Sequence, residues 1–415
     1  MMKNKSLTPQ IRFKGYNDEW MESSISEHFT LYSGTTPSRS IPNAFCGSVN
    51  WISSGELKPH YIGETKEKIT EEVFEKSSLR LLPSGLLVIA IYGLEAAGVR
   101  GTASITSVPT TISQACTAFI PKFNGEVETE FLYGWYKHNG NYIGTHFAQG
   151  TKQQNLKSEI INELSIAYPK EDEQKQIGSL LKNIDALIAD AERELDRLEK
   201  MKQASLQKMF PRLGNTTPEI RFKGFAGSWY FEKAGKNFKS TNERNRPDLP
   251  VLSAFQDLRG MTPREESGYS IFHNESNEVT YKVIYPGNFV IHLRSFQGGF
   301  AHSNYLGITS PAYTVFEISD HSKHDDYFWK IVFMSHDFIE SLKTITYGIR
   351  DGRSISFDEF SSLTLCFPSK DEQQEISNYF RRINNLLAAK RQKLEKLQNL
   401  KQACLDKMFI NTTAR

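Results

Sequence analysis

The sequence has little that would mark it as secreted, membrane-bound or catalytic. Its 415 residues hold four cysteines, Cys46, Cys116, Cys366 and Cys404. They are scattered and form no Cys-x-x-Cys pair, which points to reduced thiols rather than a disulfide framework or a zinc site. No apolar run reaches the roughly 18 residues a membrane span requires; the nearest is the short stretch from Leu81 to Leu94. The start, MMKNKSLTPQIRFKGY, lacks the apolar core of a secretory signal. These absences predict a cytoplasmic protein with no membrane segment. An excess of one charge is missing too: 50 Lys and Arg stand against 48 Asp and Glu, a formal +2. A chain that gripped DNA alone would usually be more basic. Any DNA-facing surface is therefore local, or a partner neutralises much of the phosphate charge.

Catalytic signatures are absent as well. There is no GxxxxGK(S/T) phosphate loop, no HExxH, no GxSxG, no EF-hand loop and no GxGxxG after a strand. No Asn-Pro-Pro-aromatic motif of the adenine-methyltransferase type occurs. His321 and His324, among Asp320, Asp325 and Asp326, match no standard metal spacing and read as a solvated loop. Neither a catalytic nor a metal site is expected.

What the chain does have is repetition, which must be settled before local motifs are read. Asp172 to Phe210 and Asp371 to Phe409 align without a gap at an offset of 199, with 16 of 39 positions identical. Pro9-Gln-Ile-Arg-Phe-Lys-Gly-Tyr16, with Trp20 beyond it, returns as Pro218-Glu-Ile-Arg-Phe-Lys-Gly-Phe225 with Trp229, at an offset of 209. The chain is thus two repeats, each an opening motif, a variable body and a long helix. The alternation Ile11/Phe13 and Ile220/Phe222 predicts a short strand, turned by Gly15 and Gly224.

Each long segment begins at acidic residues just after a proline, Pro169 or Pro368, as a helix start should. Ile177, Leu181, Ile184, Ile188, Ala191, Leu195 and Leu198 recur at steps of three and four. So do Ile376, Phe380, Ile383, Leu387, Leu394 and Leu397, with Lys390 interrupting where the first copy has Ala191. Such a narrow seam is that of a coiled coil. A helix of this length spans about 60 Å and is marginal alone, so the two copies are each other's natural partners. Antiparallel pairing would give a pseudo-twofold molecule with a body at either end, suited to a duplex read at two sites a turn (~34 Å) or a multiple apart.

The bodies, residues 24–168 and 239–367, mix short strands and helices without a βαβ rhythm, which indicates α+β. A buried strand is expected near Leu86 to Tyr92, and helices near Glu128 to Asn139 and Leu156 to Ile161. Polar loop clusters carry the side chains that read base edges and phosphates. The first body offers Thr35, Thr36, Ser38 and Arg39, and then Lys152, Gln153 and Gln154. The second offers Asn242 and Arg244, Arg294 and Gln297, and Arg350 and Arg353. Gln154 and Arg353 share one slot at the helix offset; a glutamine suits adenine and an arginine guanine. The plain alternative for each cluster is a solvated polar loop. For the whole chain the alternatives are an enzyme with an unrecognised site and a coiled-coil scaffold with no DNA role.

The duplicated PxIRFKG-(Tyr/Phe)-x3-Trp and DEQxxI…KQAxLxKMF phrases resemble those of the DNA-specificity subunits of type I restriction-modification systems. So do GTTPSR from Gly34, Trp51-Ile-Ser-Ser-Gly55 and Gly150-Thr-Lys-Gln-Gln154. The second body lacks the GTTP phrase, and its LRSFQGG and GIRDGRSIS look like another recognition subtype. The resemblance implies two target recognition domains, 1–168 and 218–367, separated by two long antiparallel coiled-coil helices, 169–210 and 368–415, with a linker at 211–217. It implies a non-catalytic subunit that reads a bipartite, asymmetric DNA sequence, with the helices as spacer and scaffold. Two methyltransferase subunits would use S-adenosylmethionine on adenine, and two restriction/translocase subunits would use ATP and magnesium. No cofactor is expected on this chain.

Overall fold

The structure, a computed structural model, describes residues 7–96, 98–123, 125–212, 214–255, 260–267, 275–292, 299–345, 355–410 and 412. It divides into two compact units. One comprises Met1–Arg193 with Arg391–Arg415, the other Glu194–Lys390. Each unit thus contains a body and part of both long helices.

The long helices span Glu171–Lys208 and Lys370–Met408. Each opens with carboxylates in its first turn, where they complement the helix dipole. Ile177, Leu181, Ile184, Ala191 and Leu195 are buried, as are Ile376, Phe380, Ile383 and Leu387, whereas Ile188, Leu198, Leu394 and Leu397 are half-buried. The pairing is antiparallel within each unit. In the first, Lys401 Nζ bonds Asp185 at 2.6 Å. In the second, Ser205 Oγ meets the Tyr379 hydroxyl at 2.8 Å, and Lys390 pairs with Glu194. The lysine that interrupts the second seam is therefore satisfied across the helix pair, where a polar residue can fix register.

The opening motif is not a strand. Residues 7–20 form turns and extended chain, and Ile11 and Ile220 are both 49% exposed. The period-2 pattern misleads because this backbone pairs with a helix end instead of a sheet edge. Ile11 N–H donates to Lys407 O at 3.0 Å in the first unit, and Ile220 N–H to Lys208 O at 2.9 Å in the second. What the motif anchors is charge. The Arg12 guanidinium grips Glu173 through two bonds of 2.9 and 2.7 Å, and Arg221 grips Glu372 at 2.8 and 2.6 Å. The next helix residues, Gln174 and Gln373, donate to the carbonyls of Pro169 and Pro368 and accept the N–H groups of Glu128 and Asp325. The duplicated Glu-Gln thus clamps the opening motif and the body to the helix start.

The helix ends are consumed in a matching way. Phe409 lies against Phe131, at 5.2 Å between ring centroids, in the first unit, and Phe210 stacks on Phe328 at 5.9 Å in the second. A Cβ on Gly134 would come within 2.6 Å of both Leu181 Cδ1 and Phe409 Cζ, so any larger residue would have to displace these side chains.

Each body has one main sheet, with smaller sheets beside it. In the first, strands run in the order Phe29–Ser33, Cys116–Pro121, Leu87–Ala90, Ala103–Thr106, Tyr61–Ile62. In the second they run Phe238–Thr241, Thr314–Ile318, Phe289–Ile291, Phe300–His302. The first four strands of each order correspond, and all are paired antiparallel. Helices Thr129–His146 and Ser158–Glu163 occupy the predicted helical stretches. The strand expected from Leu86 to Tyr92 is the shorter, fully buried Leu87–Ala90. The fold is α+β with an internal repeat. No helix among the described residues is long and apolar enough to cross a membrane.

Candidate nucleic-acid interface

The first cluster begins where strand Phe29–Ser33 ends. Gly34 lies so close to the next segment that a Cβ would meet Ile112 O at 1.8 Å. Thr35 N–H donates to Ile112 O at 3.2 Å, and the Trp51 indole donates to Thr35 O at 3.1 Å. Thr36 Oγ1 accepts from Gln114 N–H at 3.4 Å, and Ser38 is held by Ser40 at 2.7 Å. The GTT phrase is thus a pinned edge whose backbone is already committed. Arg39 is exposed but engaged: it makes two bonds to Glu67, at 2.5 and 2.8 Å, and lies 4.1 Å from the Phe45 ring centre. An exposed pair of this kind contributes little stability.

The second cluster leaves the same region, since Ser33 Oγ and Ser158 Oγ are 3.5 Å apart. Gly150 takes φ +118°, a region side chains rarely adopt, and a Cβ there would strike Gln153 O at 2.1 Å. Lys152 and Gln153 are exposed, and Gln154 is half-buried. The chain just before the first cluster thus meets the chain just after the second, while the partners of the two clusters differ.

In the second body, Asn242 and Arg244 are exposed and bonded to each other at 3.1 Å. Their loop follows strand Phe238–Thr241, the counterpart of Phe29–Ser33, so it occupies the same place in the repeat as the Thr35–Arg39 cluster. Its chemistry differs, with Asn245 at φ +69° and Arg246 tied to Asp248 at 2.9 and 2.8 Å. Arg294, Gln297, Arg350 and Arg353 lie outside the described residues.

Sequence reasoning missed a half-buried polar junction in the first unit. His60 Nδ1 bonds Asp185 at 2.7 Å and Nε2 bonds Glu130 at 2.8 Å, while Tyr61 also donates to Glu130. With both ring nitrogens facing carboxylates, the ring donates twice, as only the imidazolium can. Burial alone would lower the His60 pKa, but the bonds to Asp185 and Glu130 outweigh it and raise it. Burial likewise opposes the charges of Glu130 and Asp185, yet His60 holds both below the usual carboxylate range. The slot of Asp185 in the second unit, at the offset of 199, holds Asn384, which donates to the Tyr327 hydroxyl at 2.9 Å. No local signal marks His60; its partners come from helices 70 and 125 residues away. The Arg12–Glu173 clamp did leave a signal, because opposite charges recur together in both repeats.

Other reactive groups are quiet. Burial pushes the thiols of Cys116 and Cys366 up to about 12, so neither is a thiolate near neutrality. His324 is buried and bonded to Asn237 at 3.0 Å, with its pKa lowered by burial to about 4. Among the described residues no group of three or more His, Cys, Asp or Glu is arranged to hold a metal.

Comparison with known proteins matches a family model, the type I restriction modification DNA specificity domain, to residues 17–200. The type I restriction enzyme MjaIX specificity subunit of Methanocaldococcus jannaschii is 28% identical over 188 residues, 44% of this chain and 42% of that protein. The EcoR124I/EcoR124II specificity subunit of Escherichia coli is 27% identical over 195 residues, 46% of this chain and 47% of that protein. The matches thus span less than half the length of these curated relatives. A crystal structure of a type-I restriction-modification system S subunit from M. genitalium covers 98% of this chain and 100% of its own at a TM-score of 0.62. At 14% identity that likeness concerns the fold.

Proposed function

We propose that this chain is a DNA specificity subunit of the type I restriction-modification kind, the family whose domain model matches residues 17–200, and that its two bodies read the two halves of a bipartite, asymmetric DNA sequence. The chain performs no chemistry itself. It directs adenine methylation by two methyltransferase subunits, which carry S-adenosylmethionine, and restriction by two restriction/translocase subunits, which use ATP and magnesium. The long helices serve as spacer and assembly scaffold. The partner subunits share the phosphate contacts, which accommodates a formal charge of only +2.

One observation carries this reading. The first four strands of the main sheet follow the same order in both units, and the loops that follow the equivalent first strands carry different polar side chains. A common frame with unlike reading loops fits two unlike half-sites. The candidate contacts are Thr35, Thr36, Ser38, Arg39, Lys152, Gln153 and Gln154 for one half, and Asn242, Arg244, Arg294, Gln297, Arg350 and Arg353 for the other.

The test is an exchange of residues 24–168 for the corresponding segment of another family member, followed by mapping of methylated adenines in cells carrying the complex. The first half-site should change while the second half-site and the gap stay fixed. A change in both halves, or in neither, would refute modular reading.

A further inference from the structure

Gln154 is held on three sides, and Arg100 provides the side-chain hold. The backbone N–H of Gln154 donates to the Glu95 carboxylate at 2.8 Å, and its carbonyl accepts from Leu94 N–H at 3.1 Å. Arg100 Nη2 donates to the side-chain oxygen of Gln154 at 2.9 Å. Arginine has donors only, so the amide atom facing it must be the oxygen, and the orientation of the amide follows from chemistry. Arg100 is itself seated, because its Cγ lies where a Cβ on Gly144 would come within 3.0 Å. Gln154 Nε2 has no hydrogen-bond partner among the described residues and is not among the buried unpartnered atoms.

We propose that Arg100 is a positioning residue for base readout: it holds the Gln154 oxygen inward, so that the Gln154 amide faces DNA as a hydrogen-bond donor. This rests on the reading of the first body as a DNA reader and deepens it. An amide so held suits a base edge that offers acceptors, such as guanine N7 and O6 or thymine O4. It is less suited to the paired donor and acceptor edge of adenine. The orientation is fixed before DNA arrives, so no rotamer freedom of Gln154 is lost on binding.

The experiment uses the complex assembled with its methyltransferase subunits and a panel of duplexes carrying every single-base change across both half-sites. Gln154→Ala should lose about tenfold discrimination at one base pair of the first half-site, within the range of a single specific contact. Arg100→Leu should lose discrimination at the same base pair, with the second half-site unchanged, and the double variant should be no worse than either single one. Gln154→Glu keeps a partner for Arg100 and removes the donor, so it should favour bases that present a donor at that position. This variant also serves if Arg100→Leu does not fold. If Gln154→Ala alters one base pair while Arg100→Leu alters none, the positioning role is refuted and DNA reading by this loop survives. If Arg100→Leu weakens all sequences equally, Arg100 is a phosphate contact or a structural residue, and the proposal fails. If Gln154→Ala changes no preference, the loop does not read DNA and the proposal falls with that reading. A preference of Gln154→Glu unchanged from the parent overturns the donor assignment.

Discussion

Replacing Glu173 by Gln tests whether the clamp at the helix start is the structural purpose of the duplicated motifs. The Glu173 carboxylate is 1% exposed and its Arg12 partner 10%, and both of its oxygens accept from the guanidinium. An amide at this position keeps one acceptor and turns a donor toward a donor, leaving a buried cation without its counter-charge. Breaking a buried pair in this way costs about 3–5 kcal/mol. Against a typical stability of roughly 5–15 kcal/mol, that is a large fraction. In a unit of this size it corresponds to a fall in melting temperature of about 6–20 °C. The assay is thermal unfolding of the full chain, with hydrogen exchange locating the loss near residues 9–20 and 169–175. The second unit supplies its own comparison: Glu372 is 2% exposed and Arg221 16%, so Glu372→Gln should cost a similar amount. The double variant Arg12→Met/Glu173→Met should recover part of the loss, since apolar replacement of a whole buried pair is often tolerated. A change under about 1 kcal/mol for Glu173→Gln, the range of surface pairs, would refute the clamp.

Two further outcomes follow from the first unit. The raised His60 pKa stabilises the fold fully below the ordinary histidine value and is lost as pH rises through the higher folded value, so the melting temperature should decline above about pH 6.5. His60→Gln should flatten that decline, whereas a wild-type decline unaltered by the substitution would place its origin elsewhere. Gly134→Val should destabilise the chain by about 1–3 kcal/mol through overpacking against Leu181 and Phe409, measured by urea unfolding, and Phe409→Leu in the same chain should relieve part of it. Additive losses would show that Phe409 is not the obstruction.

The seam of the long helices was legible because a helical period is written in consecutive residues. Ile177, Leu181, Ile184, Ile376, Phe380 and Ile383 are buried as their spacing predicts. The interruption at Lys390 was legible too, but its partner Glu194 was not, since that pairing needs the helices to run antiparallel. The opening motif shows how a correct pattern can be assigned to the wrong element. Ile11 and Phe13 alternate like a strand, yet a strand also needs a sheet edge. The chain around residue 11 meets a helix end instead, an arrangement set by Lys407 far away in sequence. Composition located the polar loops, but it could not say which side chains were already engaged. Arg39 rests on Glu67, and the Gln154 oxygen rests on Arg100. Those bonds alter the chemistry each loop can offer, and they arise only once the sheet has brought distant turns together.

The pattern of what is duplicated carries the same physical logic. Charges that recur in both repeats, Arg12 with Glu173 and Arg221 with Glu372, lie at buried positions where one change leaves a lone ion. The side chains between a body and its helices diverge: Glu130, His60 and Asp185 in one unit, Tyr327 and Asn384 in the other. Each set satisfies its own hydrogen bonds, so a junction can be rewritten as a set but not one residue at a time. Glu130→Tyr alone, placed in the first unit, leaves His60 with one carboxylate and should destabilise. Adding His60→Gln removes the imidazolium and leaves Asp185 paired with Lys401, which restores neutrality and should recover stability beyond the sum of the single changes. Purely additive losses in that cycle would mean that the two junctions differ by drift at independent sites rather than as coupled sets.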